Sequence, residues 1–208
     1  MSPDKPTGSS VSGRLGSAGA AIKDGIVGSL KGLQEIEGQI VSLAKNTTTD
    51  VLKATGSVAN ETLTTSKDLI KGTLAATQDV GTGLMTSVKS VAKGIILGVG
   101  EIGGDVTQAA TQMVKGAIQG AAEVGANVAD VAKNTVTGAL EATRQIGGNV
   151  AMTAKAAATG ALEATGEIGE TAVTSVTDVL VGSVEGVKEV IGAAMPGARR
   201  GGEKGDKA

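Results

Sequence analysis

Gly138-Ala-Leu-Glu-Ala-Thr-Arg-Gln-Ile-Gly147 recurs 22 residues later as Gly160-Ala-Leu-Glu-Ala-Thr-Gly-Glu-Ile-Gly169. Stepping by 22 in both directions gives unit starts at Gly28, Asp50, Gly72, Gly94, Gly116, Gly138, Gly160 and Gly182, with no insertion or deletion. The frame runs from residue 28 to about 195. An internal period of this length marks a repeat architecture, in which each unit covers part of its neighbour.

The columns of the repeat are chemically sorted. The third position holds Leu30, Leu52, Leu74, Ile96, Ile118, Leu140, Leu162 and Val184, and the ninth holds Ile36, Val58, Val80, Ile102, Val124, Ile146, Ile168 and Val190. The fifth is always Gly or Ala, and the eighth is mostly acidic, as in Glu35, Asp79, Glu101, Glu123, Glu167 and Glu189. The eighteenth is often Lys, as in Lys45, Lys67, Lys89, Lys133 and Lys155. Twenty-two is twice eleven, and eleven residues make three turns of a helix close to its natural pitch. On that wheel the third, sixth, ninth, fourteenth, seventeenth and twentieth positions form one apolar arc. The lysines flank it on one side and the acids lie toward the other. Strands need a period of two, which Ala-Leu-Glu-Ala-Thr does not supply.

The expected fold is therefore all-α: long amphipathic helices built from 22-residue (2 × 11) units, bent or folded back into hairpins at one to three places, with flexible tails. This reading is favoured over a solenoid of short helical pieces. Asn46-Thr-Thr-Thr-Asp50 is the strongest single break, while Gly103-Gly104-Asp105 and Gly147-Gly148-Asn149 can each end one helix and cap the next. The organisation expected is a tail at 1–18, a repeat region at 19–195 and a tail at 196–208. The tails are rich in Ser, Gly and Pro, or carry Pro196 with Arg199 and Arg200.

Composition makes that helix conditional. The 208 residues include 33 glycines and no Phe, Tyr, Trp, Cys or His. Each glycine inside a helix costs about 1 kcal/mol against alanine. Without rings, Val, Ile, Leu, Met and Ala must supply all the burial. The balance favours helix only when the apolar face is covered by another copy, a folded-back segment or a lipid surface. Small residues at the first and fifth positions, as in Gly94-xxx-Gly98 and Gly116-xxx-Gly120, provide a seam along which helix backbones approach closely.

Other chemistry is poorly supported. Without His or Cys there is no activated Ser-His or Cys-His nucleophile, and Glu141 and Glu167 are members of the repeating pattern. No catalytic, cofactor-binding or metal-binding residues are therefore expected. Gly98-Val-Gly100-Glu-Ile-Gly103 matches the spacing of a dinucleotide-binding turn, yet no strand-helix-strand pattern surrounds it. A formal charge of −2 gives no reason to bind nucleic acid. No apolar run is long enough to span a bilayer, and the first residues lack the apolar segment of a secretory signal.

Segments such as Thr86-Ser-Val-Lys-Ser-Val-Ala-Lys93 and Val128-Ala-Asp-Val-Ala-Lys-Asn134 resemble the eleven-residue repeats of synucleins and perilipins. They also look like the 22-residue units of exchangeable apolipoproteins. The synuclein core Lys-Thr-Lys-Glu-Gly-Val and the proline that often opens an apolipoprotein unit are both missing. Group 3 late-embryogenesis-abundant proteins share the eleven-residue period but carry more charge than the 19% here. Phasins are similar in their logic of helices on an apolar inclusion.

The resemblance implies a non-enzymatic, cytoplasmic protein that lies peripherally on a membrane, lipid droplet or storage granule. Its partners would be the lipid surface and further copies of itself, with no small-molecule substrate. The alternatives are a structural protein that self-assembles into a helical bundle or filament, and a desiccation protectant.

Overall fold

A computed structural model describes residues 33–56, 58–80 and 84–183. Among the described residues all regular structure is helical: α1 (Leu33–Thr55), α2 (Val58–Val80), α3 (Leu84–Glu101), α4 (Val106–Glu123), α5 (Val128–Gln145), α6 (Val150–Ile168) and α7 (Glu170–Ser183). Helices α3 to α6 begin at Leu84, Val106, Val128 and Val150, so one helix and one corner fill each 22-residue unit. The all-α repeat fold is as expected, but the chain folds back at every unit instead of at one to three places. The tails at 1–18 and 196–208 lie outside the described residues, as do Leu30, Val184 and Val190. Of Ile36, Val58 and Val80 only the backbone is described.

The corners explain why no long helix forms. Gly103, Gly125 and Gly147 have φ of 71°, 70° and 72°, a left-handed conformation that opposes a Cβ. At each, two backbone hydrogen bonds close the helix end. Gly103 N donates to Gly100 O (3.1 Å) and Gly104 N to Val99 O (2.9 Å). The same pair recurs from Gly125 and Ala126, and from Gly147 and Gly148. This is the Schellman arrangement. Two residues after each of these glycines, Asp105, Asn127 and Asn149 accept hydrogen bonds at the start of the next helix. Asp105 takes Thr107 N at 2.8 Å and Gln108 N at 3.0 Å. Asn127 takes Ala129 N at 3.1 Å, and Asn149 takes Met152 N at 3.0 Å. Stop and start signals thus sit two residues apart. The Gly103 and Gly147 corners were legible in the sequence, and Gly125-Ala126-Asn127 repeats the second of them with one substitution.

The expected break at Asn46–Asp50 is absent, because these residues are helical within α1. They include no glycine to take a left-handed turn, and Thr48 and Thr49 are buried. Thr49 Oγ1 lies 3.5 Å from the Gly98 carbonyl oxygen of α3. Packing against a second helix overrides the weak helix propensity of a threonine run. The turn comes instead at Gly56, with φ of 69°.

The helices stack in two layers, α1, α3, α5 and α7 in one and α2, α4 and α6 in the other. The most extensive contacts are between helices two apart in sequence, α1 with α3, α2 with α4, α3 with α5 and α4 with α6. Consecutive helices close the layers on each other, as Thr143 Oγ1 to Thr153 Oγ1 at 3.2 Å does between α5 and α6. The result is a solenoid of helical hairpins. Its core is aliphatic. Leu69, Ile70, Leu74, Ile95, Ile96, Met113 and Ile118 are fully buried at the N-terminal side. Toward α6 the filling shrinks to Ala154, Ala157, Ala158, Ala161 and Ala164.

Because an added Cβ at Gly125 meets nothing within 4 Å, Gly125→Ala tests the backbone conformation alone. The substitution should destabilise the fold by about 1–2 kcal/mol, read as a lowered midpoint in urea unfolding followed by far-UV circular dichroism. Wild-type stability in Gly125→Ala would refute the corner geometry.

Candidate interaction surfaces

The third-position column lies inside the solenoid. Leu52, Leu74, Ile96, Ile118 and Leu140 are buried and Leu162 is half-buried. The sixth, seventeenth and twentieth positions join them, as in Val99, Val88 and Val91. From Ile102 onward the ninth position behaves differently, because a helix ends at or beside it. Ile102 and Val124 are half-buried at corners. Ile146 and Ile168 are 40% and 42% exposed. The eleven-residue phase continues through the corners in sequence, but the helix does not.

The small-residue columns form the contact between helices two apart. A Cβ on Gly94 would stand 2.5 Å from the Val41 carbonyl oxygen and 2.7 Å from the Ala44 Cβ. On Gly98 it would lie 2.8 Å from the Lys45 carbonyl oxygen. Gly116 and Gly120 meet the Leu63 and Lys67 carbonyls of α2 in the same way, Gly120 at 3.0 Å. The seam continues beyond those four glycines. Gly138 sits on the Lys89 carbonyl and Gly160 on that of Thr111. Both occupy the first column of their units, the feature that marks them in the sequence. Gly98 and Gly103 of the GxGxxG spacing are accounted for by seam and corner respectively.

The lysine and acidic columns meet across the same contact. Lys45 bridges to Glu101 at 2.6 Å, from α1 to α3. Lys67 and Lys71 both reach Glu123, Lys71 at 2.8 Å, from α2 to α4. Where the eighth position is Gln145, Lys89 turns to Glu141 at 2.6 Å. Where the eighteenth position is Thr111, Lys115 supplies the cation and binds Glu167 at 2.8 Å. Charges that flank opposite sides of one apolar arc come together when parallel helices stack in register. Lys133 and Lys155 are exposed, with no ion-pair partner among the described residues.

Hydrogen bonds from Lys45, from Lys67 and Lys71, and from Lys115 and Gln119 hold Glu101, Glu123 and Glu167 below the ordinary glutamate value of 4.5. The same bonds raise Lys71 and Lys115 above 10.5. Asp68 goes the other way, its carboxyl raised chiefly by burial.

A groove of about 370 Å³ crosses α1, α3 and α5, walled by Val41, Lys89, Lys93, Leu97 and Glu141. Its charged walls are partly spent on the Lys89–Glu141 bridge. Among the described residues no group of His, Cys, Asp or Glu is placed to hold a metal ion.

Two outcomes follow. Gly138→Ala should destabilise by about 1–3 kcal/mol through overpacking, whereas Gly38→Ala, at an exposed helical site with open space, should stabilise by about 0.5–1 kcal/mol. Urea unfolding of both variants decides this, and equal effects would refute the seam. For pH the sign is set by the lowered carboxyl values. The carboxylate bridges contribute fully above 4.5 and are lost as pH falls through the lowered folded values. The melting temperature should therefore hold from pH 7 to about 5 and decline below 4.5, and Glu123→Gln should flatten that decline.

No family model matches the sequence, and no curated protein matches it significantly. Among solved structures, the chain is similar to a de novo designed helical repeat protein. The two share 21% sequence identity, with 86% of this chain and 96% of that one covered, at a TM-score of 0.44.

Proposed function

We propose that this chain is a non-enzymatic structural protein, a self-supporting helical solenoid that offers its outer surface for assembly. The chain is a helical-repeat protein, and among the described residues no helix is long and apolar enough to cross a membrane. The observation that carries the proposal is where the repeat's chemistry is spent. The third-position column covers other helices of the same chain, and Lys45, Lys67 and Lys89 bind carboxylates of the same chain. The buried column is thus turned away from acyl chains, and of the eighteenth-position lysines Lys133 and Lys155 stay exposed.

A surface-coating role would require the stack to open, exchanging helix-to-helix burial for helix-to-lipid burial. The absence of Phe, Tyr and Trp removes the side chains that anchor best at a membrane interface. The folded-back segment is thus the simplest cover for the apolar face.

Circular dichroism of the dilute chain in lipid-free buffer tests this. Strong helical signal that vesicles of neutral or anionic phospholipid do not increase supports the structural reading. A disordered spectrum that becomes helical only with vesicles overturns it in favour of a surface coat.

A further inference from the structure

Helix α6 differs from the other helices of its layer. Helices α2 and α4 each have a later helix stacked on them, whereas α6 packs only on α4, α5 and α7 among the described residues. Among the described residues, the face of α6 that corresponds to the one α4 turns to α6 therefore carries no helix. Ala151, Met152, Lys155, Thr159, Glu163 and Gly166 are all exposed, and Met152, at 54%, is the most exposed large apolar side chain described.

Five of these residues form a stripe with spacing 3, 4, 4 and 3: Met152, Lys155, Thr159, Glu163, Gly166. Residues at such spacings share one helix face. The stripe is a palindrome in position and complementary in chemistry. When two copies of α6 pack antiparallel with Thr159 at the twofold axis, residue Lys155 of one faces Glu163 of the other, twice over. Met152 of one faces Gly166 of the other. Gly166 has open space where a Cβ would be, so it is a hole for the methionine. Glu163 is free to respond, because its contact to Lys115 is long, at 3.8 Å, and Lys115 lies closer to Glu167.

We infer that α6 is the contact surface for a second copy of this chain, in an isologous antiparallel pair about Thr159. This rests on the structural reading above and names its partner. A twofold contact requires a self-complementary patch, which this stripe supplies. The stripe spans 14 residues, about 21 Å of helix. One helix on one helix buries less than the roughly 1,200 Å² of a standard interface. The pair is accordingly reversible and dependent on concentration and salt.

Sedimentation equilibrium of the full chain over a concentration series tests it. The wild type should move from monomer to dimer as concentration rises. Lys155→Glu and Glu163→Lys should each raise the dissociation constant about tenfold or more, since each sets like charges face to face. Combining them exchanges the charges and should restore the dimer. Thr159→Arg, which brings two cations to the axis, should also abolish it. Circular dichroism of each variant reports whether the solenoid persists. A wild type that stays monomeric, a dimer indifferent to Lys155→Glu, or a double variant that fails to recover each overturns the proposal. If helix persists in lipid-free buffer in those cases, the docking surface falls and the structural reading stands. If the helix itself requires vesicles, both fall.

Discussion

Close approach of backbones at the glycine seam is the constraint on which this fold depends. The first-column glycines of α3, α4, α5 and α6 each lie against a carbonyl of the helix two before. That approach is possible only without a Cβ. It brings the helices near enough for short aliphatic side chains to fill the space between them, so the chain needs no aromatic core. It also sets the register. Once Gly94 and Gly98 straddle the Lys45 backbone, Glu101 lies within reach of the Lys45 side chain. Exposed ion pairs of this kind add little stability singly. Their repetition along the stack favours one register over a slip by a turn.

The same glycines that weaken an isolated helix therefore strengthen the stacked one. An exposed glycine such as Gly38 carries only the conformational cost, while Gly138 gives back a contact that alanine would block. Helix formation and stacking are consequently coupled: neither is favourable far from the other.

Much of this was legible in the sequence. The 22-residue frame, the helical character, the apolar third column and the small-residue seam at Gly94, Gly98, Gly116 and Gly120 follow from periodicity and residue size, but periodicity does not say whether the third column is covered by the chain itself, a second copy or lipid. Two corners were visible as Gly-Gly-Asp and Gly-Gly-Asn. What the one-dimensional pattern obscured was that the corners are as regular as the helices. The eleven-residue phase runs unbroken through Ile102 and Ile146, so the wheel places them on a continuous face. The left-handed glycine after each ends the helix there instead. The threonine run at Asn46–Asp50 misled in the opposite sense, because its helix depends on a neighbour 49 residues away, through Thr49 and Gly98. The lysine column was visible, but not its destination. A wheel drawn for a single helix shows the two charge flanks and cannot show that stacking brings them together.

Every contact between helices in the described array joins nearest or next-nearest neighbours, and nothing ties one end to the other. Such a body has the mechanics of a coil spring. A pull on its ends is shared as small rotations at each corner, with no single hinge to give way. Each unit's stability then depends on itself and its neighbours alone, so duplication of 22 residues lengthens the spring without redesigning it.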